Sequence, residues 1–174
     1  MKPEFVITIP PDYDSQLARK VGARITLGVI IQLIAQAKNY LIISAPFIQR
    51  AVSEDNYDFS MALRCARERG VNISVLSTSA GLEAFNHVFP PSQNGGSIKL
   101  YQPHVNVKNE NVLGSHAKFC LADGEHAYIG SANLTGPGLY GHLEMGVLVH
   151  GEMAKQIEIF WNTLIEIGFL SKVN

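Results

Sequence analysis

Apolar residues along this chain switch between a helical spacing and short continuous or alternating runs, and each switch marks an element. Pro10 and Pro11 end a first strand, and Asp12 or Asp14 is placed to cap the helix that follows. Leu17, Val21, Ile25, Leu27, Val29, Ile30, Leu33, Ile34 and Ala37 then recur at helical spacing, which predicts one long helix from Ser15 to Asn39 with a wide buried face. Tyr40 to Ser44 is a short apolar run before Pro46 and reads as a central strand. Phe59, Leu63 and Ala66 predict a helix from about Asp55 to Glu68, ended by Gly70, and Val71 to Leu76 is the next strand.

A further helix starts with Thr78 or Ser79 as its cap, and turn residues from Phe89 to Gly96 lead into a strand at Ile98 to Tyr101. Gln102 to Asn111 is polar and loop-like. Ser115 to Leu121 and His126 to Ile129 read as strands joined by Ala122-Asp123-Gly124-Glu125, a hairpin signal. Leu143 to His150 is one more strand, and Glu152 to Gly168 is an amphipathic helix burying Ile157, Phe160, Trp161, Leu164 and Ile165. Helix, glycine and β-branched strand in succession predict an α/β fold: a mixed, largely parallel β-sheet with helices on both faces.

Composition narrows the class. At 174 residues, 47% hydrophobic and 17% charged, the chain has material for one core and reads as a single globular domain over 1–174. The high apolar share leaves room for an interface. A formal net charge of -1 offers no global basic excess for nucleic acid, so a positive site has to be local. Cys65 and Cys120 lack metal-ligand spacing and read as buried free thiols. With no signal-peptide pattern and no run long enough to span a bilayer, the expected location is cytoplasmic.

The chemistry concentrates in one block. His116 and Lys118 stand two apart in a predicted strand and share a face, Asp123 follows, and Gly130-Ser131-Ala132-Asn133 comes after the hairpin. A neutral imidazole can attack phosphorus, a lysine can offset charge on phosphoryl oxygens, and the Ser131 hydroxyl and Asn133 amide can donate to the same oxygens. Such a site needs no metal and no other cofactor. Glu144, between apolar Leu143 and Met145, is the best candidate for a carboxylate that fixes the imidazole tautomer.

His116, Lys118, Asp123, Gly130, Ser131 and Asn133 match the H-x-K-x₄-D-x₆-G-S-x-N signature, and through these residues the chain resembles the phospholipase D superfamily, most closely its small single-motif nucleases. The specific motif covers about residues 112 to 150. Ser115 departs from the pattern, standing where many relatives carry an apolar residue. The resemblance implies that His116 forms a phosphohistidine, that Lys118 and Asn133 bind phosphate with Ser131 in support, and that Glu144 orients the histidine. It makes Asp123 a structural anchor near the site. Because the family uses two histidines and this chain has one motif, it also implies a homodimer with a shared active site.

Outside the motif, His87, His126, His142 and His150 read as surface or locally bonded, while His104 is a loop residue placed to approach substrate. Phe47, Phe59, Phe85, Phe89 and Trp161 read as core or interface aromatics. The leading functional expectation is a metal-independent nuclease acting on DNA, or also on RNA. The alternatives are a phospholipase D-type lipid phosphodiesterase or transferase, and a catalytically weak binding subunit with protein partners in a bacterial nucleic-acid defence or processing system.

Overall fold

A computed structural model describes residues 2–48, 57–91, 94–104 and 114–173. Its elements run β1 (Glu4–Thr8), α1 (Asp14–Val21), β2 (Arg24–Ile25), α2 (Thr26–Gln36), β3 (Tyr40–Ser44), α3 (Tyr57–Glu68), β4 (Asn72–Leu76), α4 (Ser79–Val88), β5 (Ile98–Pro103), β6 (Phe119–Ala122), β7 (His126–Gly130), a π-helical turn (Pro137–Gly141), β8 (Glu144–His150), α5 (Glu152–Glu166) and β9 (Leu170–Val173). The strands form one sheet in the order β2-β1-β8-β7-β6-β3-β4-β5-β9.

The expected sheet is present, but its predicted hand of pairing is corrected. Among the described residues β1–β2, β3–β4 and β4–β5 are parallel, while β1–β8, β3–β6, β5–β9, β6–β7 and β7–β8 are antiparallel. Helical crossovers, which parallel strands require, connect β3, β4 and β5. The β6–β7 and β7–β8 connections contain no α-helical crossover, and these neighbours are antiparallel.

Period-two alternation divides the core between the faces. Leu41, Ile43, Cys120, Tyr128 and Leu148 face Val29, Ile30 and Leu33 of α2, Phe59 and Leu63 of α3, and Phe85 of α4. Their strand neighbours Ile42, Leu121, Ala127 and Val149 turn the other way, onto Ala154 and Trp161 of α5. Trp161 meets Tyr101 and Phe119 edge-on at 5.2 and 6.4 Å, the aromatic geometry that ring quadrupoles favour.

Several local expectations are revised. The long helix from Ser15 to Asn39 is broken at Gly22, which takes φ 64° and ends α1; the Ala23 N–H returns to Ala18 O at 2.9 Å, and Arg24–Ile25 then pairs with β1. The N-cap position of α1 is held by Tyr13 and not by either aspartate, and Tyr13 makes no side-chain cap hydrogen bond. On α5, Phe160 is 52% exposed, so only one flank of the predicted stripe is covered. Cys65 is exposed, whereas Cys120 is buried and its thiol is pushed up to about 12 by desolvation. Phe59, Phe85, Phe89 and Trp161 are in the core, and Phe47 is partly exposed. Thr78 caps α4 as expected, accepting from the Gly81 N–H.

The β6–β7 hairpin is fixed from its far end. Asp123 and Gly124 take φ 53° and 68°, the paired left-handed conformation of a type I′ turn, and the Glu125 N–H closes it on Ala122 O at 3.0 Å. The Asp123 carboxylate accepts from the backbone N–H groups of Lys38, Asn39 and Tyr40 at 2.7, 2.9 and 2.9 Å, tying the turn to the start of β3. Burial pushes its pKa up, but these donors outweigh it and leave the carboxyl below its usual value. Asp123→Ala should therefore cost about 1–3 kcal/mol in denaturant unfolding. Since the folded pKa is the depressed one, this contribution is present above the ordinary carboxylate pKa and is lost as pH falls through the folded value. Asp123→Asn should accordingly flatten the acid side of the stability–pH curve, measured by thermal melts.

Candidate functional site

Three strand ends deliver the site. Lys118 immediately precedes β6, Gly130 ends β7 and Glu144 begins β8, so the polar groups emerge at one end of the sheet while the hydrophobic strands behind them hold register. The predicted strand from Ser115 starts only at Phe119, yet extended pairing continues around it: Gly130 N–H donates to Lys118 O at 3.2 Å and Ser44 Oγ donates to Ala117 O at 2.9 Å. The pleat points Phe119 toward α5, so Lys118 lies on the α2 face.

On that face Lys118 is 7% exposed, although it carries an ammonium, whereas His116 is exposed. Lys118 Nζ stands 3.1 Å from Nδ1 and 3.3 Å from Nε2 of His116 and donates to the His116 carbonyl at 3.0 Å. Desolvation lowers the Lys118 pKa, and the charge of Glu144 works against that shift. A phosphate oxygen in this position would supply the second anionic partner that a buried ammonium favours.

The turn after β7 is shaped by what it buries. Ala132 and Leu134 are 1% and 3% exposed, and this anchoring turns Ser131 outward. The Ser131 hydroxyl donates to Glu144 Oε2 and accepts from the Met145 N–H at 3.1 Å, while the Ser131 N–H donates to Met145 O at 2.9 Å. The π-helical turn packs against Asn133 so closely that a Cβ on Gly138 would lie 2.3 Å from Asn133 O.

Thus His116, Lys118, Ser131 and Glu144 are linked through contacts or charge, and Asn133 lies in the same turn. Glu144 bonds to Ser131, and among the described residues no hydrogen bond joins it to His116. Asp123 is not in this group. It sits at the opposite end of β6 from Lys118, about 17 Å away along five extended residues, so its anchoring is to β3 and not near the site. His104 is at the same end of the sheet as the site, but at the end of β5, three strand spacings or about 14 Å from β6. The rest of its predicted loop, 105–111, lies outside the described residues. His126 and His150 are locally bonded, Nδ1 to Nδ1 at 2.8 Å, with His150 Nε2 3.1 Å from Glu4 Oε1.

Sequence reasoning missed Tyr128 and Gly146. Gly130 and Gly146 are register partners, and a Cβ on Gly130 would lie 2.2 Å from the Tyr128 hydroxyl, one on Gly146 2.5 Å from its ring. The available signal was a glycine inside an otherwise apolar strand, which marks a close approach.

Comparison with known proteins gives this arrangement its class. The family described as cardiolipin synthase, PLD-like domain, matches residues 30–164, and the chain belongs to this branch of the phospholipase D superfamily. The DISARM protein DrmC of Bacillus paralicheniformis is 28% identical over 169 residues, covering 94% of this chain; the chain spans 62% of that relative's length. Among solved structures, NucT from Helicobacter pylori has a TM-score of 0.67 at 15% identity, covering 95% of this chain and 97% of its own. Nuc, a phospholipase D family member from Salmonella typhimurium, gives 0.64 at 16% over 99% of both chains. The phosphatidylserine synthase of Haemophilus influenzae gives 0.69 at 11%, over 98% of this chain and 40% of that one. At these identities the structural likeness is one of fold.

The glycine pair makes a direct prediction. Gly146→Ala should force Tyr128 or the β7–β8 ladder to shift, lowering stability by about 1–3 kcal/mol in chemical denaturation. Adding Tyr128→Ala, which opens the space, should make the two effects strongly non-additive.

Proposed function

We propose that the chain is a phosphodiester-cleaving subunit acting on nucleic acid within a bacterial defence or processing system, with half of its catalytic centre contributed by a second copy. The observation that carries this reading is an exposed imidazole, His116, held against a buried ammonium, Lys118, beside a Ser131–Glu144 pair. Neighbours named NucT and Nuc support the nuclease assignment by fold, and the DrmC likeness supports the defence setting.

In the proposed reaction a His116 ring nitrogen attacks phosphorus and the bond from phosphorus to the leaving oxygen breaks. His116 of the second copy gives that oxygen its proton. The same imidazole then takes a proton from water as the water oxygen attacks phosphorus, breaking the phosphorus–nitrogen bond and freeing His116. Lys118 and Asn133 bind the phosphoryl oxygens, Ser131 supports that pocket, and Glu144 orients an imidazole in the assembled centre. His104 reaches the substrate outside the reacting group, and Asp123 keeps the hairpin in place. The proposed steps call for no metal. Among the described residues no group of three or more His, Cys, Asp or Glu is placed to hold one, and no helix there is long and apolar enough to cross a membrane.

A second reading is a binding subunit whose site turns over weakly or not at all. It is favoured by the likeness to the DISARM protein DrmC and by the Lys118 ammonium resting on both ring nitrogens of His116. The deciding experiment is a screen in EDTA of DNA, RNA and phosphatidylcholine vesicles with wild type and His116→Ala. Nucleic-acid cleavage should appear with wild type and fall by a factor on the order of 10⁴ or more in the variant. Lipid turnover without nucleic-acid cleavage would reject the substrate, and absence of any ³²P-labelled histidine would favour the binding subunit. Exchanging His116→Ala subunits into wild type should lower activity as the square of the wild-type fraction; a linear fall would show that one chain suffices.

A further inference from the structure

The α5 face of the sheet carries a second set of polar groups, away from the candidate site. On β4 and β5 the α2 face is apolar, with Ile73, Val75 and Leu100 packed beneath the helices. The same strands turn Asn72, Ser74, Lys99 and Tyr101 to the other side. Register sets Ser74 beside Lys99, and Lys172 of β9 beside Tyr101, so the two lysines are diagonal neighbours about 7–8 Å apart. Lys118 lies on the α2 face, and the sheet therefore separates this cluster from the candidate site.

A cavity of about 480 Å³ opens here between the strands and α5, a volume typical of small-molecule sites. On its wall Tyr101 meets Trp161 edge-on at 5.2 Å, and Ile42 and Ile165 add apolar surface. Ser97 closes one end, its N–H and hydroxyl donating to Asn72 Oδ1 at 3.1 and 2.7 Å. Glu158, the carboxylate in the lining, is already bonded to the Tyr40 hydroxyl and the Lys155 ammonium. Among the described residues, the Ser74 hydroxyl, the Lys99 ammonium, the Tyr101 hydroxyl and the Asn162 amide have no protein hydrogen-bond partner. A polar sheet face is ordinarily a solvated one. Here burial pushes the Tyr101 phenol above its usual pKa and leaves Trp161 3% exposed, so these groups line a recess.

We propose that this cavity binds a phosphate monoester, with Lys99 and Lys172 offsetting its charge, Ser74 and Asn162 donating to its oxygens, and the body of the ligand lying along Tyr101. A phosphate dianion beside two ammonium groups that lack an acidic partner gains charge-assisted hydrogen bonds. The neutral Tyr101 phenol is left to donate to a hydroxyl or ring atom of the ligand. Sugar phosphates and mononucleotides share this chemistry. The site stands apart from the proposed cleavage reaction and does not rest on it.

Trp161 is the only tryptophan in the chain, so its fluorescence reports on this cavity directly. Ribose 5-phosphate and AMP should each change its emission, half-saturating at or below about 1 mM. Lys99 is exposed, so Lys99→Ala should keep the fold while weakening binding about tenfold or more. Tighter binding of AMP identifies a nucleotide ligand, and equal binding identifies a sugar phosphate. Ribose or adenosine binding as tightly as its phosphorylated form overturns the proposal, as does an affinity that Lys99→Ala leaves unchanged. Lys118→Ala, on the opposite face, should keep the response; losing it there would put the ligand in the candidate site and overturn the proposal as well. Amide NMR shifts at Ser74 and Tyr101 provide a second readout, and no change in either signal rejects the cavity as a phosphate site.

Discussion

The site depends on one row of the sheet. Lys118 precedes β6 opposite Gly130, Gly130 pairs with Gly146, and Gly146 pairs with Val6, so a buried cation and two residues without side chains lie side by side on the α2 face. Tyr128 fills the space that the glycines leave. A one-residue slip of β7 or β8 would turn these groups onto the α5 face, where Trp161 and the apolar partners of α5 close the core. The candidate site therefore inherits its geometry from hydrophobic register.

That dependence explains why Asp123 belongs to the motif without belonging to the site. The hairpin β6–β7 carries Lys118 at one end and the aspartate at the other. Three backbone N–H groups, of Lys38, Asn39 and Tyr40, donate to the Asp123 carboxylate and hold the hairpin against β3, where the parallel and antiparallel halves of the sheet meet. An error in that clamp would be transmitted along the strand to Lys118. The motif is thus a record of both ends of a rigid lever, with chemistry at one end and register at the other.

Charge follows the same economy of place. A chain of net charge -1 has no general attraction for phosphate, but one ammonium removed from water and opposed by a single carboxylate presents a local positive centre. The exposure of His116 beside it leaves that imidazole open to solvent, as the proposed attack requires. Desolvation of Lys118 and openness of His116 are complementary: the first makes an anion welcome, the second gives it access.

Much of this was legible in the residues. Apolar runs located β3, β4, β7 and β8, glycine located the end of α3, and the H-x-K and G-S-x-N spacings located the chemistry, because each is a local consequence of pleat, cap or turn. What the sequence could not determine was pairing. The hand of the sheet, the break at Gly22 that lets Arg24–Ile25 join β1, and the distance of Asp123 from the site all follow from which strands become neighbours. The same is true of Tyr128: nothing in its immediate sequence marks it, and only the register that sets Gly130 against Gly146 brings its ring against those two glycines. Local periodicity determined what each segment is and which groups carry the chemistry; long-range strand pairing, driven by burial of the two sheet faces, decided where those groups meet.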